Sequence, residues 1–412
     1  MASKIIAKAE IVIPFPQSAE DIAPFWVQLV LQEDLPGITI TDVDVKGSIS
    51  EGEGFLSDII AFDAVGTRKG TSQRFSLVAK LTDFKRLSAL YGGQYPESFR
   101  DVHIKMEACE VKFYSYVVPE LLSAAVPRTE RKPKSGNGDG KCHPFTDTSF
   151  LPKCYFAATD PSSMLSVRVM ENLKTQGFSI KPNIQPLSRA EMMLAAGALV
   201  QLHGLSHRLE LLSGKSLPEK YDWIMTKTGT IGPKANITYK YLTNVKAFAA
   251  AFPDQADLVA RLEELGPRVI SKENLQPRLK VLSHGDCWVN NIMIKYAGDV
   301  PAEVRLVDWQ SLMYKPPTHD LALLFVHNAD WDVFHNHRDA ILAHYHRTLQ
   351  ETLGPGVSSD LRDYTLEELN ADFKADCLYG ITRRFSYADV VSRLSDPSLL
   401  KMIQEIKEWG FL

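Results

Sequence analysis

The chain has 412 residues, a net charge of −4, and 45% hydrophobic against 23% charged residues. That balance permits a large core and gives no basic excess of the kind nucleic-acid binding needs. No apolar run approaches the ~20 residues of a membrane span.

At about 100–200 residues per domain, the length implies two or three domains or lobes. The five cysteines (Cys109, Cys142, Cys154, Cys287 and Cys377) are widely spread and show no Cys-x-x-Cys spacing. A disulfide framework or a structural zinc site is therefore not expected, and a reducing compartment is. The N-terminus lacks the apolar core of a signal peptide, so a cytoplasmic protein is expected.

Residues 22–35 carry apolar side chains at a spacing of three to four and predict a helix that stops at Pro36-Gly37. Strand-like segments follow at 39–45, 55–65 and 75–81, separated by turns at Ser50–Gly54 and Gly66–Ser72. Ser98 to Leu122 has helical spacing. The stretch 128–148 has almost no apolar residues and reads as a solvated insertion. Cys154–Ala158 and Leu165–Met170 are two more strands, which makes five before residue 173. The C-terminal part, 174–412, is mostly helical. Ser188-x-x-Glu191 forms a capping box, and helices are expected to about His207 and near 238–251, 254–265, 321–327, 332–353, 366–390 and 397–408. Pro316 to Asp320 reads as a break. The expected class is α+β: a five-stranded antiparallel sheet plus helix in 1–173, then a helical lobe carrying one hairpin.

That hairpin gathers the chemistry. Ser283-His284-Gly285-Asp286-Cys287-Trp288-Val289-Asn290-Asn291 leads into an apolar strand, and a second strand ends at Val307-Asp308-Trp309. A pairing that sets Asn291 opposite Trp309 and Asp308 opposite Ile292 brings an amide and a carboxylate to one end, with Asp286 in the loop before it. Magnesium-dependent phosphoryl transfer needs such a cluster: a base for the accepting hydroxyl and hard oxygen ligands for the metal. A polar hairpin with Asp and Asn as turn formers is the bland alternative, and the full order of residues favours the site. Lys80 sits in an apolar strand, where an amine is costly unless it reaches a charge. It is read as a phosphate contact, against an edge lysine reaching water. Glu110 on the next helix would pair with Lys80, with Glu107 one turn earlier as its rival. Gly52-Glu53-Gly54-Phe55-Leu56-Ser57 could cover phosphates with backbone N–H groups, although it lacks a Walker A sequence.

Taken together, Gly52-Glu53-Gly54, Val78-Ala79-Lys80, Glu110-x-x-Phe113-Tyr114, Pro152-Lys153-Cys154-Tyr155, Val169-Met170-Glu171-Asn172-Leu173, Leu202-His203, His284-Gly285-Asp286-x-Trp288-x-Asn290-Asn291 and Asp308-Trp309-Gln310 resemble the ecdysteroid kinase-like family. That family falls in the choline kinase and aminoglycoside phosphotransferase group, so the resemblance implies a bilobal protein-kinase-like fold. It implies ATP and Mg²⁺, with Asp286 as catalytic base and Asn291 and Asp308 on magnesium. Lys80 with Glu110 would hold the α- and β-phosphates, with Gly52, Gly54 and Ser57 in the covering turn. The backbone of Met170, Glu171 and Leu173 would hold adenine. His284 and Asp320 would support the catalytic loop. The acceptor implied is a hydroxyl on an ecdysteroid, a sterol-like molecule or a xenobiotic alcohol. A choline- or ethanolamine-type kinase is the rival within the class, and an inactive nucleotide-binding scaffold is the rival outside it. Five histidines between His327 and His346 include pairs at i, i+2, which do not share a helix face as zinc-binding i, i+4 pairs do.

Overall fold

The computed structural model describes residues 13–49, 57–82, 97–125, 149–160, 162–226, 234–269, 279–353, 363–387 and 393–412. Gly52, Gly54, the expected turn at Ser50–Gly54 and the polar stretch 128–148 lie outside them. The chain divides into two compact units, Met1–Tyr95 with Lys153–Gln176, and Pro96–Pro152 with Gly177–Leu412.

Among its described residues, the first unit is built on one sheet with a helix packed on it. Helix α1 (Pro24–Leu31) opens on a proline, whose missing N–H costs nothing at a first helical position. Strands β1 (Thr39–Ser48), β2 (Ser57–Arg68), β3 (Thr71–Thr82), β4 (Cys154–Asp160) and β5 (Leu165–Glu171) lie in the order β1-β2-β3-β5-β4, every neighbour antiparallel. The period of two sets one face of the sheet. Ile60, Phe62 and Ala64 of β2, Leu77, Ala79 and Leu81 of β3, and Val167 and Val169 of β5 form a core with Trp26, Val27, Val30 and Leu31 of α1. Lys80 therefore belongs to the opposite face, paired in register with Ile59 on one side and Arg168 on the other. The turn expected over Gly66–Ser72 is much shorter. The strands pair as far as Arg68 and Thr71, and Lys69 and Gly70, both at positive φ, make the reversal. Two positive φ values match the right-handed twist of the flanking strands, so the ladder continues through residues that composition marks as polar turn.

The second unit is mostly helical. Helix α2 (Glu97–Lys112) runs into one wide turn at Phe113–Val117 and then α3 (Val118–Ala124). Pro119 cannot donate to the preceding turn, and the widening accommodates the lost bond. Helix α4 (Arg189–Ser213) starts on the expected capping box: Ser188 N donates to Glu191 Oε2 at 2.6 Å, and Glu191 N to Ser188 Oγ at 3.4 Å. Helices α5 (Lys234–Ala251) and α6 (Ala256–Val269) follow. Strand β6 (Phe178–Ser179) joins the hairpin of β8 (Ile292–Ala297) and β9 (Val300–Leu306), and β7 (Val281–Ser283) pairs with β10 (Met313–Lys315). Helices α7 (Pro317–Asn328), α8 (Arg338–Leu353), α9 (Leu366–Tyr387) and α10 (Pro397–Glu408) complete the chain.

The break expected at Pro316–Asp320 is instead the start of α7. Pro317 occupies the first helical position, where its fixed φ is already helical. Every residue of α7 from Pro317 to Val326 is buried, so this helix is the centre of the unit. None of the described helices is long and apolar enough to cross a membrane.

Candidate active site

The hairpin forms, in a register two residues away from the expected one. Ile292 lies opposite Leu306, and Val307 N donates to Asn291 O at 3.0 Å. The reversal is confined to Gly298 and Asp299 between the paired Ala297 and Val300, and a bulge follows Lys295. Gly298, at φ 64°, supplies the positive φ that a two-residue turn requires at its first central position. A shift of two leaves each side chain on its original face. Asn291 and Asp308 thus still flank one end of the hairpin.

The loop before β8 is held from beneath by Asp320, which is fully buried in α7. Its Oδ2 accepts from His284 N at 2.7 Å and its Oδ1 from Gly285 N at 2.9 Å. His203 Nε2, from α4, donates to Oδ2 at 3.1 Å. A carboxylate only accepts, so the His203 proton is on Nε2, and Nδ1 accepts from the Tyr345 hydroxyl at 2.6 Å. Burial alone would raise the Asp320 carboxyl. The His203 hydrogen bond is the largest of the influences that outweigh it and hold Asp320 below its ordinary value. Gly285 stands at φ 79°, and a Cβ there would lie 2.1 Å from Ser311 O, so only glycine lets the loop pass this close to the segment after Asp308.

His284 spends both ring nitrogens inside the loop. Nε2 donates to Val307 O at 3.0 Å, and Nδ1 accepts from Asp286 N at 3.3 Å. The ring therefore links the backbone of Asp286 to the residue before Asp308 and has no nitrogen left for moving protons.

Asp286 keeps a quarter of its side chain exposed. Its Oδ2 accepts from Asn291 Nδ2 at 3.0 Å, and the same amide donates to Asp286 O at 2.9 Å. Its Oδ1 accepts from Arg383 of α9 at 3.1 Å. Arg383 is the functional residue that sequence reasoning missed. It lies almost a hundred residues beyond the loop and belongs to no motif there. One signal was available: Phe373, Cys377, Ile381 and Phe385 make a fully buried stripe along α9, and a neighbouring pair of arginines on a helix so deeply packed must find acceptors.

Asp308 has left-handed backbone, φ 68° and ψ 68°, which an aspartate tolerates better than most residues. The flanks fix it. Trp309 is fully buried, stacks on Phe113 with centroids 4.4 Å apart, and donates its backbone N–H to Glu110 Oε1 at 3.4 Å. Gln310 Nε2 donates to Asp308 Oδ2 at 3.0 Å. Glu110 is thus a partner of the Asp308–Trp309 backbone within the second unit, whereas Lys80 belongs to the first.

The donor set suits a hard cation. Both amide hydrogens of Asn291 go to Asp286, and among the described residues nothing donates to its Oδ1. That amide oxygen and the Asp308 carboxylate are oxygen ligands of the type magnesium takes. No group of three or more His, Cys, Asp or Glu able to hold a metal occurs among the described residues. The histidines between His327 and His346 go to separate partners: His327 to Gly380 O, His335 to Glu405 and His346 to Tyr364 O.

In the first unit, the segment after β5 is closed by Glu171. Its Oε1 accepts from Lys153 N at 2.8 Å and its Oε2 from Gln176 Nε2 at 2.7 Å, and its backbone N–H donates to Lys153 O at 2.9 Å. Met170 pairs with Val78 and Cys154, Leu173 is buried at the start of a short helical turn, and Ser57 is buried opposite Thr82.

The buried loop thus carries a partly exposed carboxylate, Asp286, with the Asn291 amide beside it. The sequence model of the ecdysteroid kinase-like family matches residues 51–355, and the chain belongs to that family. No curated protein matches it. Several solved structures align along most of the chain. A GDP and kanamycin complex of an aminoglycoside phosphotransferase is 13% identical over 93% of this chain and 99% of its own, with a TM-score of 0.37. A choline kinase from Streptococcus pneumoniae is 13% identical over 93% and 98%, with a TM-score of 0.35. A spectinomycin phosphotransferase with ADP and spectinomycin is 13% identical over 93% and 93%, with a TM-score of 0.37.

Proposed function

We propose that the chain is a small-molecule kinase that moves the γ-phosphate of ATP to a hydroxyl, with magnesium held by Asn291 and Asp308. The observation that carries the proposal is the state of Asp286. Its carboxylate is fixed at both oxygens, by Asn291 and by Arg383, and remains partly open to solvent beside the Asn291–Asp308 donor pair. Such transfer is mostly positioning and charge neutralisation, and a pre-oriented carboxylate meets the first requirement.

In this reading Asp286 orients the acceptor hydroxyl and takes its proton as the oxygen–phosphorus bond forms. The bond from the γ-phosphorus to its bridging oxygen breaks, and ADP leaves. Arg383 holds Asp286 in place and offsets its charge against the incoming phosphate. His284 and Asp320 keep the loop in register. Magnesium, when bound, neutralises the phosphate oxygens. The nucleotide roles implied by family membership fall to Lys80, with Glu110 as its counter-charge, to the turn of Gly52, Gly54 and Ser57, and to the backbone of Met170, Glu171 and Leu173. Family membership supports an ecdysteroid or another sterol-like or xenobiotic alcohol as acceptor. The test is a panel of steroid, amine and sugar alcohols incubated with Mg-ATP, read as phosphorylated product by mass. Product from the sterol-like alcohols is expected. Product from choline alone would reassign the acceptor, and ATP turnover with none of the panel would remove it.

A further inference from the structure

Tryptophan carries a large ring that gains from burial and an N–H that seeks an acceptor, so a folded chain usually gives it partners. The sequence has six. Five have partners among the described residues. Trp26 donates Nε1 to Pro14 O at 2.8 Å, and Trp309 donates to Leu306 O at 3.1 Å and stacks on Phe113. Trp331 stacks on His335 with centroids 4.6 Å apart, and Trp409 on Phe334 at 5.9 Å. Trp223 lies 5.9 Å from Tyr221, with Lys112 over its face. Trp288 differs. It is partly exposed, among the described residues no ring or cation lies against its indole, and its Nε1 reaches solvent without an acceptor.

The backbone, not the ring, fixes where this side chain stands. Trp288 N donates to Asp286 O at 3.0 Å, Asn291 N donates to Trp288 O at 2.9 Å, and Asn328 Nδ2 donates to Cys287 O at 2.8 Å. Burial alternates along the loop: Cys287 and Val289 are buried, whereas Asp286 and Trp288 are partly exposed. Trp288 is itself extended, φ −109° and ψ 167°, the conformation in which alternate side chains take the same side. The indole thus stands beside the Asp286 carboxylate on the open side of the loop. Its exposed apolar face is a cost in the free protein, and a flat apolar surface laid on it recovers that cost. The neighbouring charge selects the kind of molecule. An indole face attracts cations as well as rings, but Arg383 is 3.1 Å from Asp286 Oδ1. An ammonium group carried a short chain from the accepting hydroxyl would be set close to that like charge, and a neutral ring would not.

We propose that Trp288 determines acceptor specificity: a neutral, flat ring of the acceptor alcohol lies on its indole, with the hydroxyl turned to Asp286. The proposal rests on the phosphotransfer reading for the role of that hydroxyl, and adds the ring and its place. Because the loop backbone holds the indole before any acceptor arrives, little ordering is left for binding to impose.

Androsterone, a neutral steroid alcohol, and choline are the probes. Titrated into the full chain without nucleotide, androsterone is expected to change the tryptophan fluorescence saturably, and choline to leave it unchanged. In Trp288→Phe, which keeps a ring but not the indole, the fluorescence change should largely disappear. With Mg-ATP, Trp288→Ala is expected to raise KM for androsterone about tenfold or more, most of the fall in kcat/KM being carried by KM, and Trp288→Phe to recover most of it. No saturable change with androsterone, a change that Trp288→Phe retains in full, a saturable response to choline instead, or equal KM in wild type and Trp288→Ala would each overturn the proposal. The last of these leaves the phosphotransfer reading intact. Trp288-dependent binding of androsterone with no phosphorylated product does the reverse: it supports the ring platform and removes phosphotransfer to this alcohol.

Discussion

Arg383 places a guanidinium nitrogen 3.1 Å from Asp286 Oδ1, on the side of the carboxylate that Asn291 does not touch. The two residues come from the loop before β8 and from α9, so a helix nearly a hundred residues further along the chain contacts Asp286 directly. Removing the guanidinium leaves Asp286 in place but free to turn about its side-chain bonds. Arg383→Ala is expected to lower kcat by roughly 10–100-fold while nucleotide affinity changes by less than about threefold. Arg383→Lys restores part of the loss, since an ammonium keeps the charge without the planar fork. Steady-state kinetics with a titration of Mg-ADP separates the two quantities, and a near-wild-type kcat in Arg383→Ala would exclude the positioning role.

This pair marks the boundary of what sequence could show. The five strands of the first unit were legible because alternation against one buried face has a period of two that survives in the residues themselves. The capping box at Ser188 and Glu191 was legible because a cap is local. Strand pairing and long-range partners were not. The hairpin register depended on a two-residue turn at Gly298–Asp299 and a bulge after Lys295, neither of which alters the apolar pattern. The start of α7 was concealed because Pro316-Pro317 is as good a helix opening as a break. His203 and Tyr345 stand behind Asp320 from two other helices, and only the packing of α4, α7 and α8 brings them there.

In the proposed reading Asp286 takes the proton and Asp308 holds the metal, and two variants separate these roles. Asp286→Asn keeps the shape, but its single amide oxygen can accept from only one of Asn291 and Arg383, and it cannot take a proton. Turnover should vanish while Mg-nucleotide affinity stays within a few-fold of wild type. Asp308→Ala removes a metal oxygen and should weaken Mg-nucleotide binding by tenfold or more, roughly the 1.4 kcal/mol or above of one lost ligand. Retained turnover in Asp286→Asn would remove it as the base, and an unchanged titration in Asp308→Ala would remove that residue from the metal site.

Gly285 gives a stability test that requires no substrate. A methyl group there would meet Ser311 O at 2.1 Å, and the residue is at φ 79°. Ser311 cannot withdraw easily, because it sits between the left-handed Asp308 and β10. Gly285→Ala should cost at least about 2 kcal/mol, read as a lower urea midpoint at unchanged slope. A midpoint equal to wild type would mean that the loop can open without penalty.

A pH-dependent effect follows from Asp376 of α9, which accepts from Thr318 Oγ1 at 2.5 Å. Burial pushes its carboxyl up to about 7, and the Asp372 charge adds to the rise, while the Thr318 bond and the Lys315 charge oppose it. The folded value lies above the unfolded value of about 3.9, so the folded chain binds the extra proton between them. The stability this contributes is complete below about pH 4 and is lost as pH rises through about 7. His319 acts in the opposite sense. Burial pushes it down to about 3, so stability falls as pH drops below the unfolded histidine value of about 6.5. That contribution is common to wild type and to Asp376→Asn, and their difference isolates the carboxyl. Between pH 5 and 7, wild type should lose up to about 2 kcal/mol relative to Asp376→Asn, the upper figure applying if the partly exposed residue keeps its carboxyl enclosed. Paired urea titrations at about pH 5 and 7 measure the difference, and a constant gap between the two proteins would show that Asp376 is already ionised across that range.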